Sequence, residues 1–137
     1  MHGYDKFFLT NVMENLGSAF DCAVNKFEIP AKDFYEFFLI SKVAEHIENG
    51  NPKYIAGLSG LELTQAIFDK VGIKKTVFQY PNYERTKEYW AGWILSYYQW
   101  HSNLIFASIQ KFLSIDTILS LYNPLHEAPE EKFIEAA

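Results

Sequence analysis

The chain has 137 residues and a mass of 15.9 kDa, the size of one typical domain that can bury a substantial core. Hydrophobic residues make up 49% of the chain and aromatic residues 18%, a composition that excludes an intrinsically disordered protein. The net charge of −5 and the isoelectric point near 5.3 disfavour binding to nucleic acid. The single cysteine, Cys22, excludes an internal disulfide and any zinc site built from cysteines.

Two helices are predicted in the first part of the chain. Apolar residues recur every three or four positions from about residue 5 to 27, which is the clearest helical pattern in the sequence. Pro30 suits the start of a second helix, and the apolar spacing after it continues to a stop at Gly50.

A third, short helix is predicted to follow and to lead into a long loop. Ser59 and Glu62 have the spacing of a capping box, and Gly72 is placed to end the helix. Residues 73–85 show no helical period and contain a Pro-Asn turn signal, so they are predicted to form a loop. A short strand there would need a partner strand, which the rest of the sequence does not offer.

Residues 86–102 hold all three tryptophans and are predicted to form the central helix of the fold. At about 100° per residue, the tryptophans share one face with Tyr97 and His101, and we interpret this face as a core stripe. Gly92 and Ser96 lie four residues apart on a narrow strip of small and polar residues. A neighbouring helix is expected to approach closely along that strip.

Shorter helices are predicted after the central one. Residues 104–112 form the first of them, and Ser114 caps a further turn or two that Pro124 stops. Residues 128–136 form the last helix.

Together these patterns predict an all-α fold, a single helical domain over residues 1–137. It is expected to be a bundle of about five to seven helices around the aromatic-rich central helix. The stretch from Tyr89 to Gln110 carries no charge, but polar residues at its centre make a membrane span costly. The start, MHGYDKFF, lacks a basic segment followed by a long apolar run, so no secretory signal is predicted. We expect a cytoplasmic protein without membrane association.

The sequence shows no pattern typical of catalysis or metal binding. His126-Glu127 lacks the spacing of helical metal ligands, and no neighbouring cation activates the thiol of Cys22. The glycine-containing loop around Lys53 lacks the phosphate-binding pattern of nucleotide-binding loops. We therefore predict a protein that is not an enzyme and that carries no metal or cofactor.

Aromatic and basic residues come together on the predicted loop 73–85. Its rings lie outside the helical stripes, and aromatic and arginine side chains often dominate the binding energy of protein interfaces. We predict a partner-binding set that consists of Phe78, Tyr80, Tyr83 and Arg85.

Three stretches resemble a family of small, uncharacterised, all-helical bacterial proteins: PKYIAGLSGLEL from Pro52, EYWAGWILSYYQW from Glu88 and LYNPLHEAPEEKF from Leu121. The resemblance spans most of the chain, and WAGWILSYYQW is its most specific part. Such proteins are loosely associated with operons that encode an ADP-ribosyltransferase-like toxin and a small helical companion. The resemblance implies an antitoxin-like partner of a toxin encoded nearby, and it implies no active-site residue.

The predicted function is therefore binding to another protein, and two alternatives stay open. A small-ligand or nucleotide-binding protein would use the central helix as one wall of a pocket and Lys53, Tyr98 and His101 for polar contacts. A DNA-binding regulator would use the helices between residues 102 and 122, where Lys111 is the one basic residue and phosphate contact would be poor. The sequence indicates no oligomeric state.

Overall fold

Apolar residues at helical spacing run along most of the chain, and the computed structural model, which describes residues 2–78 and 85–137, is built from helices. Helix accounts for 73% of it, and the all-α prediction is confirmed. The helices within the described residues are α1 (Leu9–Asp21), α2 (Ala31–Ile40), α3 (Val43–Glu48), α4 (Gly60–Val71), α5 (Lys87–Ser102), α6 (Phe106–Phe112), α7 (Ile115–Ser120), α8 (Tyr122–Leu125) and α9 (Glu130–Ala136). A 3₁₀ turn (Lys6–Phe8) precedes α1, and π-helical turns follow α1 (Cys22–Lys26) and α3 (Lys53–Gly57).

Helices α1 and α5 form the central pair because their backbones touch at two glycines. A Cβ atom on Gly92 would lie 2.8 Å from the Cα atom of Gly17 and would overlap the carbonyl group of Leu16. A Cβ atom on Gly17 would lie 2.8 Å from the carbonyl oxygen of Tyr89. Only glycine allows backbones to approach this closely. The predicted approach of a neighbouring helix along the Gly92 strip is confirmed.

Several helix ends lie where their capping residues predict them. At the start of α4, Ser59 Oγ accepts the N–H of Glu62 at 3.2 Å, and Glu62 Oε1 accepts the N–H of Ser59 at 2.9 Å. Gly72 ends the same helix in the left-handed conformation, with a φ of 83°. At α7, Ser114 Oγ accepts the N–H of Thr117 at 3.1 Å. Local side-chain bonds to the backbone thus fix these boundaries.

Two predictions about helix boundaries were wrong. The helix predicted from Pro30 to Gly50 divides into α2 and α3 because Lys42 has a left-handed backbone, with a φ of 70°. Ser41 Oγ donates to the carbonyl oxygen of Phe38 at 2.9 Å, which supports the turn. Pro124 does not stop the helix before it but lies within the first turn of α8, where a missing N–H costs nothing.

The core is a cluster of aromatic rings that meet edge to face. Phe20 and Phe34 have ring centroids 5.0 Å apart at 87°, and Phe38 and Phe106 have centroids 4.9 Å apart at 72°. Each such pair stabilises the fold by roughly 0.5–1.5 kcal/mol beyond what burial of the two rings contributes. The hydroxyl of Tyr35 donates to the carbonyl oxygen of Phe106 at 2.8 Å, so the polar tip of this buried ring is paired.

The tryptophan face of α5 does not lie in this core, contrary to the prediction. The buried side of α5 carries mostly small, aliphatic and polar residues: Glu88, Ala91, Gly92, Ile94, Leu95, Ser96 and Gln99. Its aromatic side consists of half-buried rings at the edge of the core, namely Trp90, Trp93, Tyr97 and Trp100. His101, on the same side, is exposed and stacks on Tyr97. Because the narrow strip of small residues touches α1, the large rings point elsewhere.

The charge-free stretch from Tyr89 to Gln110 is not one helix. Helix α5 ends at Ser102, and the next residue, Asn103, has a left-handed backbone with a φ of 61°. Helix α6 begins after a short loop at Phe106, whose N–H donates to Glu48 Oε2 at 2.7 Å. Among residues 2–78 and 85–137, no helix is both long enough and apolar enough to cross a membrane.

Candidate binding cleft

The half-buried rings of α5 line a cleft of about 330 Å³ near the start of this helix. Helix α1 contributes to the cleft on one side, and the segment from α8 to the start of α9 contributes on the other. Its lining residues are Glu14, Arg85, Tyr89, Trp90, Trp93, Ile94, Tyr122, His126, Ala128 and Glu130. A concave, largely aromatic surface with a few charged groups is typical of a binding site.

The start of α5 is fixed to the end of α1 by a polar network beside the cleft. Thr86 Oγ1 accepts the N–H of Tyr89 at 3.1 Å and donates to Asp21 Oδ1 at 2.6 Å. Asn25 Nδ2 donates both to Asp21 Oδ1 at 2.8 Å and to Glu88 Oε1 at 3.1 Å. Both carboxylates are buried, so these bonds hold the first turn of α5 in one orientation. The orientation of this turn also sets the direction in which Tyr89, Trp90 and Trp93 enter the cleft.

Trp90 and Tyr122 form an aromatic corner on the C-terminal side of the cleft. Their ring centroids lie 5.8 Å apart at 72°, and Trp90 also meets Phe133 edge to face at 5.9 Å. His126 stacks on Tyr122 with centroids 4.1 Å apart, and His126 Nδ1 donates to the carbonyl oxygen of Tyr122 at 2.6 Å. The tyrosine is therefore held by contacts on its own helical turn and on α5.

Arg85 lies over the other two rings of the cleft. Its guanidinium carbon is 4.4 Å from the ring centroid of Tyr89 and 5.7 Å from that of Trp93, which are cation–π distances. The carbonyl oxygen of Arg85 accepts a hydrogen bond of 3.4 Å from the hydroxyl of Tyr122. The Arg85 side chain is exposed, so the contact leaves it open to solvent and to a partner.

The charges in the cleft are of both signs. Burial is the main cause that raises the pKa of Tyr89 above its usual value of 10.0, Arg85 opposes this rise, and Glu14 adds to it. The phenol is therefore protonated at neutral pH and available as a hydrogen-bond donor. The described lining residues therefore offer ring surfaces, phenol donors and charged groups of both signs. The arrangement is suited to binding.

The structure places the predicted partner-binding residues at more than one location. Arg85 lines the cleft, whereas Phe78 does not and instead lies under the ammonium group of Lys26, with Nζ 4.4 Å from the ring centroid. The ring of Phe78 is 52% exposed, as its predicted role in an interface requires. Tyr80 and Tyr83 lie outside the described residues.

The residues predicted for the small-ligand alternative have separate contacts. Lys53 lies over the ring of Tyr54, with Nζ 5.5 Å from the centroid, and Tyr98 packs on Phe133 with centroids 5.9 Å apart. His101 stacks on Tyr97 with centroids 5.8 Å apart. None of Lys53, Tyr98 and His101 lines the cleft. Helix α5 does line the cleft, but the three predicted polar residues lie outside it, and the small-ligand alternative stays a prediction.

A second cavity, of about 420 Å³, lies between the end of α4 and the loop after it. Gln65 closes this loop onto the helix: its Oε1 accepts the N–H of Val77 at 2.7 Å, and its Nε2 donates to the carbonyl oxygen of Lys75 at 3.0 Å. The described residues around this cavity include no aromatic ring. The amide of Gln65 is already used to fix the loop, and the cavity is therefore the weaker candidate.

Sequence reasoning missed most of the cleft. The sequence pattern predicts Trp90 and Trp93 as core, and it gives no signal that Glu14, Tyr122 and Glu130 belong to a site. One signal was present: a strip of small residues marks the side of a helix that touches its neighbour, so the rings opposite it face outward. The carboxylates come from the two ends of the chain, and no local pattern brings them together.

Comparison of the chain with protein-family models, with curated proteins and with solved structures finds no match. The family resemblance noted in the sequence therefore stays an expectation.

Proposed function

We propose that this protein is a non-enzymatic binding protein that recognises another protein through the cleft on α5. The observation that supports the proposal is the placement of Tyr89, Trp90 and Trp93, with Arg85 over two of the rings, around a concave surface rather than in the core. Tryptophan, tyrosine and arginine are the side chains that most often dominate the binding energy of protein interfaces. The exposed ring of Phe78, with Tyr80 and Tyr83, is proposed as a second part of the interface.

The resemblance in the sequence provides the first partner to test. It implies a toxin that is encoded nearby, and an antitoxin-like role would be one form of the proposed binding function. Co-expression of the two chains tests this form directly, because an antitoxin restores the growth of cells that produce its toxin.

The general proposal is tested by comparing two variants, one that removes a positive charge inside the cleft and one that removes a positive charge outside it. Arg85→Ala deletes the guanidinium that lies over Tyr89 and Trp93. Lys111→Ala is the matched control, because Lys111 is exposed on α6, is not a lining residue and forms no ion pair within residues 2–78 and 85–137. Each tagged chain is used to capture partners from the native cell, and the melting temperature of each is measured.

We expect Arg85→Ala to weaken partner binding about tenfold or more, as truncation of an interface arginine does. Lys111→Ala should bind as the unaltered chain does, and both variants should melt at nearly the original temperature because both side chains are exposed. Absence of a near-stoichiometric partner, or equal capture by Arg85→Ala and the unaltered chain, contradicts the proposal.

A small-ligand function is the second candidate, and one observation favours it. The cleft volume of about 330 Å³ falls at the lower end of the range typical of small-molecule sites, roughly 300–1,000 Å³. Native mass spectrometry of the purified chain distinguishes the two candidates, because a retained small molecule appears as a discrete mass increment. No observation among the described residues favours the DNA-binding alternative.

A further inference from the structure

We propose that the cleft recognises a cationic side chain of the partner, a guanidinium or an ammonium group. This inference rests on the proposed function and specifies what the partner places in the cleft. The cation would lie against the aromatic corner formed by Trp90 and Tyr122. The carboxylates of Glu14 and Glu130 would supply the opposite charge.

The chain's own arginine lies over the two other large rings of the cleft and shows that aromatic rings of this cleft accept a cation. The guanidinium of Arg85 lies within cation–π distance of both Tyr89 and Trp93. In the same cleft, Trp90 and Tyr122 meet at 72°, so their planes form two sides of a corner rather than a stack. His126 covers one face of Tyr122 and Phe133 meets Trp90, so a ligand reaches the part of the two rings that lines the cleft. Aromatic cages bind ammonium groups through ring surfaces set at such angles.

The charges of the cleft favour a cation over an anion. Glu14 and Glu130 both line the cleft, and within residues 2–78 and 85–137 neither forms an ion pair. Arg85 is already engaged with two rings, and His126 directs Nδ1 to the carbonyl oxygen of Tyr122 and Nε2 toward Glu127, at 3.8 Å. The two carboxylates outnumber the guanidinium of Arg85 in the cleft, so a phosphate or carboxylate would meet more negative than positive charge, and the net charge of −5 opposes its approach.

The test uses short probes and the indole signals of the protein. Acetyl-arginine methylamide is titrated into ¹⁵N-labelled protein, with acetyl-citrulline methylamide as its neutral isostere and acetyl-glutamate methylamide as the anionic probe. Trp90 and Trp93 line the cleft, whereas Trp100 does not, and its Nε1 donates to the carbonyl oxygen of Tyr4 at 2.9 Å. Trp100 is therefore an internal control, and single Trp→Phe variants assign the three signals.

We expect the arginine probe to shift the Trp90 and Trp93 signals saturably and to leave the Trp100 signal in place. Glu14→Gln and Glu130→Gln should each lower the affinity about two- to fivefold, the effect expected of one partly exposed ion pair. Glu131→Gln is the matched control, because Glu131 is the exposed neighbour of Glu130 and lies outside the cleft. This variant should bind the probe as the unaltered chain does.

Equal responses to the arginine and citrulline probes overturn the inference, as does an affinity that neither glutamine variant changes. Its failure is separable from failure of the proposed function. If the partner is captured and lost on Arg85→Ala while the arginine probe does not bind, the inference is wrong and the binding function stands. If the probe binds and no partner depends on Arg85, the cation site stands and the proposed function is wrong.

Discussion

Replacing Gly92 with alanine is expected to force the two central helices apart and to destabilise the protein. The added Cβ atom would lie 2.8 Å from Gly17 Cα and would overlap the carbonyl group of Leu16. Carbon atoms in favourable contact are about 3.5–4.0 Å apart, so the helices must separate by roughly 0.7–1.2 Å. Both obstructing groups belong to the main chain, and no side-chain rotation relieves the overlap.

The expected cost of Gly92→Ala follows from two opposing effects. Overpacking of a core typically costs about 1–3 kcal/mol, and a rigid backbone places this site at the upper end. The better helix propensity of alanine offsets about 1 kcal/mol. The free energy of unfolding should therefore fall by about 2 kcal/mol, the difference between these two effects. Urea denaturation measures it, as a lower midpoint with an unchanged slope.

Gly57→Ala is the matched control for this substitution. The nearest atom to a Cβ at Gly57 is 3.6 Å away, an ordinary contact, so the same change should leave stability within about 1 kcal/mol of the original. Separation of α1 from α5 should also lower the affinity of the cleft for the arginine probe, because Glu14 moves away from Trp90. A Gly92→Ala variant as stable as the unaltered chain would refute the argument that backbone contact holds the pair.

Three further predictions concern single side chains. Trp93→Ala should lower the free energy of unfolding, measured by urea denaturation, by about 1–2 kcal/mol. This is less than the loss expected for a fully buried ring, because Trp93 is half-buried. A loss above about 3 kcal/mol would indicate that Trp93 is a core residue. Tyr4→Phe should leave thermal stability unchanged or raise it by up to about 1 kcal/mol, because the buried hydroxyl has no hydrogen-bond partner among the described residues; a clear loss would indicate a bond to that hydroxyl. Burial is the main cause that raises the pKa of Glu48 above its usual value of 4.5. The contribution of Glu48 to the stability of the fold is therefore fully present below pH 4.5 and is lost as pH rises through the higher pKa of the folded state. Unfolding curves measured from pH 4 to 7 should therefore show the free energy of unfolding of Glu48→Gln rising relative to that of the unaltered chain as pH increases. A difference between the two chains that does not change with pH would contradict this.

Local chemistry made much of the fold predictable from sequence. The Ser59 and Glu62 capping box, the stop at Gly72 and the start of α5 at Thr86 each depend on residues within one turn of each other. The break at Lys42 was not predictable in this way, because lysine does not favour the left-handed conformation that it adopts there. Its neighbour Ser41 forms the supporting bond, but serine within a helix has several other uses.

The orientation of α5 could not be read from hydrophobicity alone. Both sides of this helix are apolar, and periodicity identifies an apolar side without showing which side touches the neighbouring helix. The backbone contact of Gly92 with Gly17 decides the question. The cleft then depends on residues distant in sequence, since Glu14 on α1 and Glu130 on α9 meet the rings of α5 only in the folded chain.

The cleft is a consequence of the same contact that holds the central helices together. Helices that pack through large side chains have axes about 8–10 Å apart and use those side chains as core. Because Gly92 lets α1 approach the small strip of α5, Trp90 and Trp93 are left for other neighbours to cover. Tyr122 and Phe133 cover Trp90 from the C-terminal segment, and the space that remains is the cleft. Stability and recognition should therefore respond together to changes at the glycine contact, whereas changes to the lining charges should alter recognition alone.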